Sequence, residues 1–228
     1  MLSAVAIVPS TPVLVPELTG SAAVEVTDLR DAVSTAAAAL PQRWIGVGVG
    51  TSDEVIGPNS IGTFAGYGVD VPVALSPAVS GEPVELPLCV LITGWLRAQV
   101  SPRARAEVRV YARDHSADAA LAHGRALRAE INEAADAIGV LVVADGAHTL
   151  TPSAPGGYDP ESIPVQHDLD EALAGRDGAA LARLPDSIVG RVAYQVLAGL
   201  TEPAPRTAEA LYRGAPYGVG YFAGVWLP

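Results

Sequence analysis

Short runs of uninterrupted apolar residues, separated by segments of helical period, constrain this chain most. "LSAVAIV" (2–8), "WIGVGVG" (44–50) and "VLVVA" (140–144) are shorter than an ordinary buried helix and have no polar face. A strand reads this way when both of its faces are covered, as in the middle of a parallel sheet. Between these runs the period changes. "VTDLRDAVSTAAAAL" (26–40) places Leu29, Val33, Ala36 and Leu40 at helical spacing and halts at Pro41. A long helix is predicted over 117–138, and further helices over 164–174 and 186–200. "LPLCVLITGWLRAQV" (86–100) is apolar nearly all round yet too short to span a bilayer, so it reads as a core helix. "AEVRVYAR" (106–113) alternates as a strand, "VDVPVALS" (69–76) is a strand weakened by Pro72, and "TAEALYRGAPYGVGYFAGVW" reads as strand, tight turn, strand. Strands alternating with helices predict one domain over 1–228, an α/β sandwich with a mostly parallel central sheet flanked by helices and a C-terminal strand pair.

Charge narrows the partners. The net charge is −11, and the 14 basic residues are all arginine. No basic stripe exists to neutralise phosphates, which speaks against nucleic acid and anionic membrane surfaces. Cys89 stands alone, so no intramolecular disulfide or cysteine-ligated metal cluster is expected, and a reducing compartment fits. The apolar N-terminus "MLSAVAIVPSTPVLVPE" lacks a basic leader and is broken by Pro9, Pro12 and Pro16, so a cytoplasmic protein is expected.

Ligands of open α/β sheets bind outside the carboxyl ends of the strands. Three loops are predicted to leave such ends and meet at one cleft: 9–16, 51–68 and 145–158. "GVGVGTSDE" and "GVGYFAG" carry glycines but no following helix, so both read as structural turns and not as phosphate cradles. Asp145 and His148, three residues apart just past a buried strand, are the candidate acid/base pair. In the alternative reading Asp145 caps the turn and His148 bonds to backbone. His115, His123 and His167 read as solvated or capping residues. No HxxxH, HxxE or cysteine cluster appears, so spacing supplies no metal site, and the GxSxG of a serine hydrolase is absent.

"VPSTPVLVPEL", "ADGAHTLTPSAPGGYDP", "HDLDEALAGRDGAALARL" and the closing "GAPYGVGYFAGVW" together resemble the class III extradiol ring-cleavage dioxygenases. The similarity is to the catalytic B-subunit (LigB-type) fold, in the branch that includes Memo-like proteins. The resemblance implies a non-haem Fe(II) site of two histidines and one carboxylate, with a further histidine, matched by His148, handling a proton. The chain departs from that pattern at the ligands. Ser10 and Thr11 stand where the first iron histidine belongs, and Asn59 and Ser60 where the second loop supplies another. Glu209 is the nearby C-terminal acid, while the usual acidic position falls at Gly214. Neutral hydroxyls and amides hold Fe(II) far more weakly than imidazole does.

The resemblance therefore implies a metal-depleted relative that keeps the cleft, lined by Ser10, Thr11, Asn59, Ser60 and Glu209, with His148 and Asp145 as catalytic candidates. Its ligand is a small molecule or a protein partner, and no cofactor is expected. A second reading is an enzyme: an Fe(II) dioxygenase with ligands drawn from Glu17, Asp53, Glu54 and His148, or an acid/base catalyst using His148 and Asp145. A third is a structural, homo-oligomeric interaction protein.

Overall fold

The computed structural model describes residues 1–20 and 26–228. In chain order, β1 (Leu2–Val8) leads through a single 3-10 turn (Pro12–Leu14) to a short helix α1 (Pro16–Thr19) and then α2 (Thr27–Ala38). β2 (Arg43–Gly50) is followed by three short strands, β3 (Glu54–Ile56), β4 (Ile61–Thr63) and β5 (Pro72–Ala74). Next come α3 (Leu88–Val100), β6 (Arg105–Ala112), α4 (Ala117–Glu133) and β7 (Ile138–Val143). The chain ends with α5 (Ser162–Gly175), α6 (Gly178–Leu181), α7 (Arg191–Leu200), β8 (Thr207–Gly214) and β9 (Tyr221–Leu227).

Seven strands form one sheet in the order β3-β6-β2-β7-β1-β9-β8. The four in the middle, β6, β2, β7 and β1, are parallel, and β3, β9 and β8 add antiparallel edges. β4 and β5 pair in a separate two-stranded ribbon. The sheet is covered on both faces, as the continuously apolar runs require. Ala4, Ala6, Val8, Val108 and Val110 face one apolar layer, which holds residues of α2 and α3 such as Leu29, Val33 and Ile92. Val5, Ile7, Val47, Val140 and Val142 face the other, with residues of α4, α5 and α7 such as Leu127, Leu169 and Val196. The result is a three-layer α/β/α sandwich whose central sheet is mostly parallel.

Glycines in β2 set the closeness of α3. A Cβ at Gly48 would lie 2.3 Å from that of Cys89, so a larger residue there would push the helix off the sheet. Cys89 is buried and its thiol is pushed up to about 12 by desolvation, so it is an inert packing residue. No helix among the described residues is long and apolar enough to cross a membrane.

Three element boundaries differ from the sequence expectation. The helix expected over 117–138 stops at Glu133, because the N-terminal amine donates to the carbonyls of Ala134 (3.2 Å) and Asp136 (2.9 Å) and Ile138 joins β7 beside β1. The helix expected from 186 starts at Arg191: the preceding turn folds back, with Ile188 bridged to Ala147. The third difference decides the site. The loop expected over 51–68 contains β3, which pairs antiparallel with β6 from Glu54 opposite Val110 to Ile56 opposite Val108. The chain thus runs back along the sheet edge and leaves the carboxyl ends of the parallel strands.

Candidate functional site

At the carboxyl ends of β2, β7 and β1 lies a cavity of about 810 Å3. Its wall includes Ser10 after β1, Val49 of β2, Asp145 and His148 after β7, the turn from Asp186 to Gly190, and Arg191 at the start of α7. Its size is that of a small-molecule site.

The turn "DGAH" is held by groups other than its histidine. Gly146 N–H donates to Gly220 O and Gly220 N–H returns a bond to Ala147 O, both at 2.8 Å. Gly190 N–H donates to Asp145 O, also at 2.8 Å. Ala147 N–H donates to Oε1 of the buried Gln166 (2.8 Å), whose amide nitrogen in turn donates to Asp170 (2.8 Å). Gly146 and Gly220 have no room for a side chain: a Cβ at either would sit 2.0 to 2.1 Å from Gln166 Oε1. The glycines of "GVGYF" therefore grip the turn, and no phosphate is needed to account for them.

Asp145 lies at the cleft with its Oδ1 accepting from Ser10 N–H at 2.8 Å. Burial pushes its carboxyl up to about 7, with the Ser10 hydrogen bond pulling the other way. Below it, buried Tyr194 donates to Ala144 O (2.9 Å), and burial beside Asp145 raises that phenol well above its ordinary range. The His148 ring lies against Gly156, and its Nδ1 is buried without a hydrogen-bond partner among the described residues. Its backbone carbonyl, not its ring, accepts from Gly156 N–H (3.0 Å). The mouth carries both signs: Arg113 and Asp114 are exposed, and Arg191 Nε pairs with Asp186 at 3.0 Å.

Of the residues singled out by sequence, Ser10, Asp145 and His148 come together in this cavity. Thr11 is buried, and its hydroxyl shares a hydrogen bond of 3.1 Å with Tyr221 OH, so it serves the core beside the cleft. Asn59 and Ser60 do not join. Asn59 lines a different cavity with Gln42, Arg43 and Arg105, at the amino ends of β2 and β6, and the neighbouring Ser60 O accepts from Leu75 N–H. The antiparallel run of β3 carries them away. Glu209 is exposed on edge strand β8, opposite Val225, and Glu17 is exposed on α1. Asp53 and Glu54 line a separate cavity beside β6. Sequence reasoning did not find Arg113, Arg191, Gln166 or Tyr194. Gln166 had one available signal, a lone amide on the apolar face of a helix.

The Fe(II) implied by the family resemblance does not fit this donor set. The Ser10 loop directs an N–H at Asp145, the Thr11 hydroxyl is committed to Tyr221, and Asn59 is at the amino ends of the strands. No imidazole stands at any of those positions.

No family model matches the sequence, and no curated protein sequence does. Among solved structures the chain is similar to the uncharacterized protein JW3007 from Escherichia coli K12, with a TM-score of 0.58 and 9% identity over 98% of this chain and 99% of that one. At that identity the likeness is one of fold, and it extends over nearly the whole of both chains.

Proposed function

We propose that this chain binds a small polar molecule in the cleft between Ser10, Asp145, His148 and Arg191, and that Asp145 exchanges a proton with it. The observation that carries this reading is the place of the Asp145 carboxyl, in the wall of the cleft and held by Ser10 N–H at 2.8 Å, where burial disfavours its charged form and pushes it up to about 7. A carboxyl poised near neutrality is half protonated where most carboxylates are fully ionised, so it both donates and accepts. Exposed Arg113 at the mouth supplies the counter-charge for an anionic group on the bound molecule. On this reading the chain is a metal-depleted relative of the extradiol dioxygenases that uses the strand-end cleft without an iron centre at the Ser10, Thr11 and Asn59 positions.

A second reading, an acid/base enzyme, draws support from His148, whose buried Nδ1 has no hydrogen-bond partner among the described residues. An imidazole not needed to hold its own turn is free to act on a bound molecule. A thermal-shift panel of small carboxylates and catechols tests both. The binding reading expects at least one compound to raise the melting temperature of wild type and to lose its effect in Asp145→Asn and Arg113→Ala. A panel without effect, or with equal effect on all three proteins, overturns it. The enzyme reading further expects that compound to be turned over by wild type and not by His148→Gln.

A further inference from the structure

Asp53, His115 and His123 come from three different segments: the β2–β3 loop, the loop after β6, and the second turn of α4. Their nearest ligand atoms all lie within 4.8 Å of one another. His115 Nε2 reaches both carboxylate oxygens of Asp53, at 2.8 and 2.9 Å. The His123 ring lies beside that pair, 4.8 Å from His115 and 4.9 Å from Tyr111 between ring centroids. We propose that these three residues form a divalent transition-metal site, distinct from the cleft, that takes Zn2+.

An ion pair between His115 and Asp53 would account for two of the three residues. It does not account for a second imidazole at the same point. Two imidazoles and one carboxylate are borderline donors suited to Zn2+, and three protein ligands leave a fourth position open. Ligand atoms bound to one tetrahedral Zn2+ at about 2.0–2.1 Å stand about 3.4 Å apart, so closure from the 4.8 Å spread requires the His123 ring to swing in by about 1.4 Å along a soft torsion and the His115–Asp53 pair, now at 2.8 Å, to open by about 0.6 Å. Asp53 is already oriented, because its Oδ1 accepts from Ala112 N–H at 2.7 Å. Such an outer hydrogen bond fixes a ligating carboxylate. In the adjoining cavity Arg109 is balanced by ion pairs to Glu107 and Glu130, and on the other side Arg191, which donates to His115 O at 3.1 Å, is paired with Asp186. That cavity, of about 310 Å3, opens beside Asp53 and His123 and leaves space for solvent or an exogenous ligand on the metal. The net charge of −11 favours a cation further.

The site goes beyond the cleft reading and stands or falls separately. Chelator-treated full-length protein is titrated with Zn2+ by calorimetry, with Co2+ as the spectroscopic substitute. The expected result is one Zn2+ per chain and ligand-field absorption from Co2+. His123→Phe, which keeps the ring packed on Tyr111, and Asp53→Asn should each weaken binding at least tenfold. His167→Gln, a histidine on α5 outside the cluster, should leave it unchanged. Zn2+ should also raise the melting temperature of wild type and not of His123→Phe. Absence of stoichiometric Zn2+, or affinity unaltered in both cluster variants while their far-ultraviolet spectra remain native, overturns the proposal.

Discussion

At the scale of single residues, Asp145 makes the sharpest prediction because its protonation is linked to folding. Its carboxyl moves from an ordinary value of 3.8 to about 7 on folding. The folded state therefore holds a proton that the unfolded chain has released between those values, and its contribution to stability is fully present below pH 3.8 and lost as pH rises through about 7. Asp145→Asn keeps an acceptor for Ser10 N–H and removes the buried charge. It should stabilise the protein above pH 8 by on the order of 2–4 kcal/mol relative to its effect at pH 4, since each tenfold change in proton affinity on folding is worth about 1.4 kcal/mol. Urea titrations of both proteins at pH 4 and pH 8.5 check this, and an equal difference at both pH values would remove Asp145 as the poised group. The neighbouring histidine makes the opposite kind of prediction. Because Gln166, Gly190 and Gly220 hold the turn, His148→Gln should change stability by less than about 0.5 kcal/mol, within the range of substitutions away from special features. Gln166→Ala should cost about 2–3 kcal/mol, since it orphans the buried Ala147 N–H and leaves Asp170 without its amide donor. Parallel thermal melts of the two variants decide between these roles.

At the scale of elements, the α4–α7 contact rests on reciprocal glycines. A Cβ at Gly124 would stand 2.1 Å from Val196 O, and one at Gly199 would stand 2.2 Å from Leu121 O, with rigid helical backbone on the other side in both cases. Gly124→Ala should therefore destabilise by about 3 kcal/mol despite its better helix propensity, the overpacking outweighing the roughly 1 kcal/mol gained. A melting temperature at or above wild type would mean that the helices separate freely. The same close packing shows how far the elements were readable. β1, β2 and β7 are covered on both faces, so their sequences are continuously apolar and announce themselves. α3 was legible because it is buried nearly all round, with the sheet on one side and α2 and the β4–β5 ribbon on the others. β3 was not: three residues with Glu54 and Val55 exposed carry no periodic signal, and that omission placed Asn59 and Ser60 in the wrong cavity. The shared place of Asp145 and His148 at the cleft was legible because the two are three residues apart just past a buried strand. The Asp53–His115 pair, 62 residues apart, was not. The two residues meet only because β2 and β6 run parallel and end at the same edge, a fact of topology and not of spacing.

At the scale of the whole molecule, the charge balance is the dominant long-range term, and its sign under salt is predictable. Twenty-five acidic residues face 14 arginines, leaving 11 negative charges without a counterpart at neutral pH. Several arginines are already paired on the surface, among them Arg125 with Glu202 and Arg213 with Glu171. Such exposed pairs contribute about 0–1 kcal/mol each and weaken as salt is added. The unpaired acids repel one another across distances that pairs do not reach, and compaction brings them closer than the unfolded chain does. Raising ionic strength from about 0.01 M to about 0.15 M shortens the screening length from roughly 30 Å to roughly 8 Å. That removes most of the long-range repulsion while leaving contacts of about 3 Å only partly screened. The melting temperature at pH 8 should therefore rise with sodium chloride over this range, by about 2–4 °C if the relief is about 1 kcal/mol. A fall would mean that the surface ion pairs outweigh the repulsion. The buried carboxyl of Asp145 sets a control within the same experiment. Its cost arises from desolvation and not from distant charges, so the pH-dependent advantage of Asp145→Asn should persist undiminished at about 0.15 M salt, where the surface term has been screened away.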